Sequence, residues 1–277
     1  FLTSTAIRVK VLLNSSMLEK ARREEEKSNP ASDDVNDERG VMPILRSSNV
    51  ADGTASSEAW SEKSFQETVD GWGLTEEETE ALRELGYVRL VDVRYHSWCA
   101  PDFAVRFLLA SYWDVDKAEA MFRNMLQWRE DHNVDELMSK YTPPKIIKDN
   151  YPGAILKGTD YEGDPVYMSR LGVTDVVGMF QQFGPDEMYK FEIYKREAAI
   201  TGRWITDYEK EQGRRVKQVV IVEDMEGLSS RLLNRAYAKF FEDVLRFDQD
   251  NYCEVTKKII VLRASKIFRV AWSVAKT

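Results

Sequence analysis

Lys217-Gln218-Val219-Val220-Ile221-Val222-Glu223, followed at once by Asp224-Met225-Glu226-Gly227, is the stretch on which the fold turns. Branched apolar residues run together without polar alternation and are bounded by charges, so the segment reads as a strand buried on both faces. A second such run, Ile259–Leu262, sits inside the strand expected at Lys257–Arg263, and the interval between them carries helical spacing over Asn234–Arg246. Strand, helix and strand in that order describe two parallel strands joined by a crossover. Upstream, Ala154–Thr159 and Val166–Arg170 flank the turn-rich Asp160-Tyr161-Glu162-Gly163-Asp164-Pro165, the pattern of a hairpin. A long helix is expected from Pro185 to Glu211, and another begins at Ile267. The fold class is therefore α/β, a largely parallel sheet with helices on its faces.

The preceding part of the chain has a helical period. Thr75 and Glu78 form a capping box, and the short helix they open is expected to stop at Gly86. Pro101 suits the first turn of a second helix, on which Phe103, Phe107, Leu108 and Tyr112 share a stripe. Asp114 then caps a longer helix with Ala118, Met121, Phe122, Met125 and Trp128 at helical spacing, ending at His132-Asn133. Such stripes are packing between helices. From Glu19 to Glu58 charge runs and Ser, Asn and Asp clusters show no sustained period, so this stretch cannot bury enough apolar surface to offset its ordering entropy. The expected organisation is a tail or linker over 1–59, a helical bundle over 60–141, and an α/β domain over 142–277.

Composition removes several classes of function. The 277 residues carry 39 Lys+Arg against 47 Asp+Glu, a formal charge of −8, which does not suit a nucleic-acid binder. The two histidines, His96 and His132, cannot build a three-histidine metal site, and Cys99 and Cys253 match no zinc or redox spacing. No disulfide framework exists, which suits a reducing, cytoplasmic setting. No apolar run approaches the ~20 residues of a membrane span. In Gly153–Thr159 the lysine precedes the second glycine, so the pattern is not a phosphate loop, and neither a nucleophile elbow nor a zinc-protease motif occurs. Neither catalysis, cofactor nor metal is expected.

Five blocks, in order, carry a resemblance. Val105–Ala118 followed by Trp128-Arg129 resembles the N-terminal helical motif of the CRAL-TRIO lipid-binding family, in its branch of secretory-pathway phosphatidylinositol-transfer proteins. Asp160–Tyr167 resembles that family's D-x-x-G-x-P-V-Y, and Asp224–Gly227 its D-x-x-G. Asp250-Asn251-Tyr252-Cys253-Glu254 is similar to D-N-Y-P-E with Cys253 for the proline, and Ile267–Trp272 to the F-R-x-x-W that opens the next helix. The match runs from about Trp60 to the end.

The resemblance implies a helical bundle leaning on a sheet that floors an apolar pocket for one lipid, covered by a mobile helix. Val219, Ile221, Ile259 and Val261 would wall that pocket, and burying a lipid there would gain ~0.8 kcal/mol per CH₂. Pro165, Tyr167 and Glu254 match positions that help hold a headgroup in the family. Ser111 stands where phosphatidylinositol binders carry a basic residue, and Arg263 would supply the displaced charge. Val219 and Ile221 stand where choline-lipid binders carry hydroxyls, which points away from choline. The function implied is non-catalytic binding and transfer of a phosphatidylinositol-like phospholipid, with peripheral contact at membranes. The alternatives are another hydrophobic ligand, of tocopherol or retinoid type, or a regulatory or scaffold module of a larger protein. The chain opens on Phe1, not Met, and ends at Thr277 just inside the helix begun by Phe268, so the family's lid helix and closing strand are expected to lie beyond it.

Overall fold

The computed structural model describes residues 10–11, 60–93, 98–151, 153–201, 203–228 and 235–264. The block at Ile267–Trp272 and most of the stretch 1–59 lie outside these residues. Helix α1, Glu62–Trp72, is capped by Ser61, whose hydroxyl accepts the Ser64 N–H at 3.2 Å. Helix α2, Glu76–Glu84, carries both bonds of the expected capping box, from the Thr75 N–H to Glu78 at 2.9 Å and from the Glu78 N–H to Thr75 at 3.3 Å.

Gly86 does not end that helix in a left-handed turn. The chain continues through a wide π turn, Leu85–Arg89. A Cβ at Gly86 would come within 1.8 Å of the Trp60 indole, so the glycine admits a ring. Helices α3, Pro101–Ala110, and α4, Val115–Asp131, complete the bundle, with Asp114 capping α4 as expected. Phe65, Leu82, Phe107, Phe122 and Met125 fill its core.

Short helices α5, Val134–Lys140, and α6, Lys145–Asn150, lead into the sheet. Its strands are β1 (Lys10–Val11), β2 (Gly153–Thr159), β3 (Pro165–Ser169), β4 (Val219–Asp224) and β5 (Thr256–Leu262), in the spatial order β1-β5-β4-β3-β2. β2 and β3 form the expected antiparallel hairpin, and β3, β4 and β5 run parallel. The two-residue β1, inside the stretch expected as tail, pairs parallel with β5. Between Val219 and Val220 the β4–β5 register shifts: their partners are Thr256 and Lys258, which leaves Lys257 as the extra residue of a bulge.

The crossover helices are α7 (Val176–Thr201) and α8 (Arg203–Gln212) before β4, and α9 (Arg235–Asn251) before β5. Where one helix was expected from Pro185, α7 starts at Val176 and breaks at Gly184, with φ 80° and ψ 166°. Pro185 does open a helical segment, as a residue without an N–H can. The earlier segment begins because Asp175 accepts the Gly178 N–H at 3.1 Å. Helix α9 outruns the expected Arg246 because Phe247 is buried and Asp248 is held by Arg196.

Bundle and sheet domain share their buried charges. Arg129 of α4, 4 % exposed, donates to Glu197 of α7 at 2.9 and 3.2 Å and to Asp135, and Tyr252 donates to the same Glu197 carboxylate at 2.5 Å. Arg106 of α3 donates to the Glu254 carbonyl at 2.9 Å, while its Nε is buried without a partner.

Candidate functional site

The parallel register decides which side chains stand together. Tyr167, Ile221 and Ile259 pair across β3, β4 and β5, and Ser169, Glu223 and Val261 form the next row on the same face. Val219 lies on this face two residues before Ile221. The four residues expected as pocket walls therefore do share a face, together with Tyr167. Val219 and Val261 are buried, whereas Tyr167, Ile221 and Ile259 are half-buried. Tyr167 lies over Gly153, where a Cβ would come within 1.9 Å of its hydroxyl.

A polar centre adjoins these apolar residues. The Ser169 hydroxyl donates to the Glu223 carboxylate. Burial pushes the Glu223 carboxyl above its ordinary value, and the charges of Lys195 and Arg196 on α7 pull against it. Burial also pushes the Lys195 ammonium down, though Glu192 is 2.9 Å away and the Tyr151 ring lies 3.7 Å beneath it. The Tyr167 phenol is raised by burial as well. The face thus offers branched apolar surface beside hydroxyl and carboxyl groups, a set suited to holding an amphiphile. Glu223, Ser169 and Lys195 were not singled out in the sequence. The available signal was Glu223 closing an apolar strand, with three charges spaced i, i+3 and i+4 at Glu192, Lys195 and Arg196 on the earlier helix α7.

The four headgroup candidates do not converge. Pro165 is buried at the start of β3, and Glu254 precedes β5, with its carbonyl and carboxylate both accepting from Gln218 at 3.3 and 3.2 Å. Arg263 follows β5 at the opposite, carboxyl end. The seven residues of β5 separate the two by about 20 Å, so one headgroup cannot touch both. Arg263 clasps Asp224, which is 2 % exposed, through Nε at 2.8 Å and through Nη2, and its Nη1 meets Glu226. The Asp224–Gly227 turn that presents these carboxylates is closed by the Glu226 N–H donating to Asp224 at 3.0 Å. Gly172 packs on it so closely that a Cβ would come within 2.0 Å of the Glu226 carbonyl oxygen. Ser111, at the position where a basic residue was looked for, is buried and donates to the carbonyls of Leu108 and Asp114, holding the tight link into α4.

A separate groove of about 640 Å³ lies between α4, α7 and α9. None of the eight residues selected from sequence lines it. Among the described residues, no helix is long and apolar enough to cross a membrane.

Comparison with known proteins bears on the same residues. Residues 149–277 match the model of the CRAL/TRIO domain. The chain is 30% identical over 181 residues to Protein real-time of Aedes aegypti, covering 65% of this chain and 28% of that protein. It is 32% identical over 170 residues to Protein real-time of Drosophila melanogaster, covering 61% and 25%. The chain thus spans 25–28% of the length of these curated relatives. The crystal structure of Sfh5 superposes with a TM-score of 0.56 at 15% identity, covering 73% of this chain and 76% of that one, a likeness of fold.

Proposed function

We propose that the chain, whose residues 149–277 match the CRAL/TRIO domain, a module for lipophilic ligands, binds a phospholipid of phosphatidylinositol type and passes it between membranes without altering a covalent bond. The observation that carries this reading is the row Tyr167–Ile221–Ile259, half-buried on one sheet face with Val219 and Val261 beside it. Acyl chains laid on that face would recover ~25 cal/mol for each Å² of apolar surface taken from water. Polar ends have two places to go. At the entry end of the strands lie Pro165 and Glu254, with Tyr167 inside. At the carboxyl end a phosphate could take Arg263 Nη1 from Glu226, whose side chain is 58 % exposed, while Asp224 keeps the other donors. An exposed ion pair of that kind is worth only about 0–1 kcal/mol, so the exchange is cheap. The carrier would work in the cytoplasm with peripheral contact at membranes.

The deciding experiment is mass spectrometry of lipid extracted from the purified chain, paired with transfer of labelled phosphatidylinositol between vesicles. Phosphatidylinositol in the extract, and transfer that falls in Arg263→Ala, support the reading. Unchanged phosphoinositide binding in Arg263→Ala removes that residue from it. A second reading, a neutral lipophile, is favoured by one observation: Asp224 and Glu226 already neutralise Arg263, beside strands with Val219 and Ile221 where hydroxyls could stand. An uncharged ligand in the extract, with no phospholipid transfer, would select it.

A further inference from the structure

The polar half of the candidate site is a row set by the sheet register. Gly153, Ser169, Glu223 and Val261 stand side by side on β2, β3, β4 and β5. Residues opposed across strands share a face, so a side chain at Gly153 would join the row. There is none, and the Tyr167 ring takes the space. It leans out of its own row until its hydroxyl lies 1.9 Å from where a Gly153 Cβ would be, with the carbon that bears it at 2.6 Å. β2, β3 and β4 thus present three oxygen functions in line: the Tyr167 phenol, the Ser169 hydroxyl and the Glu223 carboxylate.

Hydrogen bonds within the protein do not exhaust these groups. Ser169 donates to Glu223 and is the one donor that carboxylate has among the described residues, whereas a carboxylate offers about four lone-pair sites. The nearby cations are engaged elsewhere, Lys195 by Glu192 at 2.9 Å and Arg196 by Asp248 through Nε and Nη2. The Tyr167 hydroxyl has no hydrogen-bond partner among the described residues. Of the described side-chain polar atoms, only Arg106 Nε is sealed in without a partner, so the phenol oxygen is open rather than stranded. Polar atoms left in this state on an apolar sheet face are completed by the polar atoms of a ligand.

What each group lacks selects the ligand chemistry. Glu223 needs donors, and the Tyr167 phenol, raised by burial, brings a proton of its own. A phosphate offers acceptors alone and meets a like charge at Glu223. An ammonium offers donors alone and meets the field of Lys195 and Arg196, which already draws the Glu223 carboxyl down. A hydroxyl both donates and accepts. We propose, resting on the phospholipid reading above, that Glu223 and Tyr167, with Ser169 between them, seat the hydroxyls of a polyol headgroup and so select an inositol lipid over one whose phosphate is bare.

The probes are pyrene-labelled phosphatidylinositol and pyrene-labelled phosphatidic acid, which has the same diacylglycerol phosphate without the polyol. Uptake of each by the full chain from phosphatidylcholine vesicles is titrated by fluorescence. Wild type should prefer phosphatidylinositol by at least about tenfold, as two or more hydrogen bonds allow. Tyr167→Phe and Glu223→Gln should each weaken phosphatidylinositol binding by at least about threefold and leave phosphatidic acid unchanged. Tyr167→Phe removes an oxygen that no described residue hydrogen-bonds, so it keeps the fold. Equal affinity of wild type for the two lipids, equal losses for both in the variants, or no loss in either variant would overturn the seat and leave the carrier reading standing. Tighter binding of phosphatidylethanolamine that depends on Glu223 would overturn it in favour of an ammonium site. If wild type takes up none of these lipids, the carrier reading falls and the seat with it.

Discussion

At the scale of single residues, the clearest dependence is on Lys257. Its ammonium lies 2.8 Å from Asp160, 2.7 Å from Glu162 and 2.7 Å from Asp164, so one cation ties the tip of the β2–β3 hairpin to β5. Lys257→Met would leave the three carboxylates with only Arg214, 3.0 Å from Asp164, and Lys258, 3.9 Å from Asp160, as cations among the described residues, and should cost about 3 kcal/mol in chemical denaturation. Burial pushes the Asp160 carboxyl up, and Lys257 with two backbone N–H groups more than reverses it, leaving the group below its ordinary 3.8. A carboxyl lowered in the folded state contributes stability that is complete above 3.8 and lost as the pH falls through the lowered value. Wild type should therefore lose stability below about pH 4, and Lys257→Met should lose less there. Melts across an acid series would read both. Gly172→Ala is the second residue test. The new Cβ must displace the Glu226 backbone, and overpacking of this kind costs about 1–3 kcal/mol. The hairpin turn was legible because its Asp, Gly and Pro act locally. Its tether was not, since Lys257 lies 97 positions from Asp160 and looks in the sequence like an ordinary strand entrance.

At the scale of elements, α7 shows what apolar period can and cannot convey. The helix beyond Pro185 was legible from its spacing. The turns before it were not, because their start rests on one Asp175 carboxylate and their end on the backbone of Gly184. Gly184 and Gly213 both have open space where a Cβ would go, with φ of +80° and +62°. Gly184, at ψ 166°, occupies a conformation essentially closed to side chains. Gly184→Ala should thus cost about 1–3 kcal/mol. Its thermal midpoint should also fall as the break straightens, with Pro185 and Asp186 leaving the rim of the groove. Gly86 teaches the converse. A glycine near a helix end suggested a stop, but a ring packed on it from 26 residues upstream was the actual demand. The parallel strands were legible for a simpler reason, that two buried faces leave no polar alternation. The sheet row that forms the candidate site was only half legible: the apolar residues were named, but Glu223 and Ser169 enter through register, which spacing alone does not specify.

At the scale of the whole molecule, bundle and sheet domain are joined by charges that neither could bury alone. Arg129, Glu197 and Tyr252 come from α4, α7 and the segment after α9, and Trp128 stacks on Phe247 at 5.8 Å across the same boundary. Glu197→Ala would leave the Arg129 guanidinium with Asp135 as its remaining carboxylate and should cost about 3 kcal/mol. Arg106→Ala removes the donor to the Glu254 carbonyl and the cation over the Trp72 ring, 5.2 Å away. Unfolding followed by far-ultraviolet circular dichroism and by tryptophan fluorescence should give one coincident transition, which both variants lower in both signals. Two separated transitions would show that the halves unfold independently.

The bulge at Lys257 has an outcome for insertions and deletions. Removing that one residue would restore an unbroken ladder between β4 and β5, because Thr256 would then precede Lys258 in step with Val219 and Val220. The sheet would gain regularity while the hairpin lost the lysine that reaches all three acids. A shortened β5 can therefore look better as a strand and be worse as a protein. Length variation is affordable at this position only where another cation has taken over the hairpin.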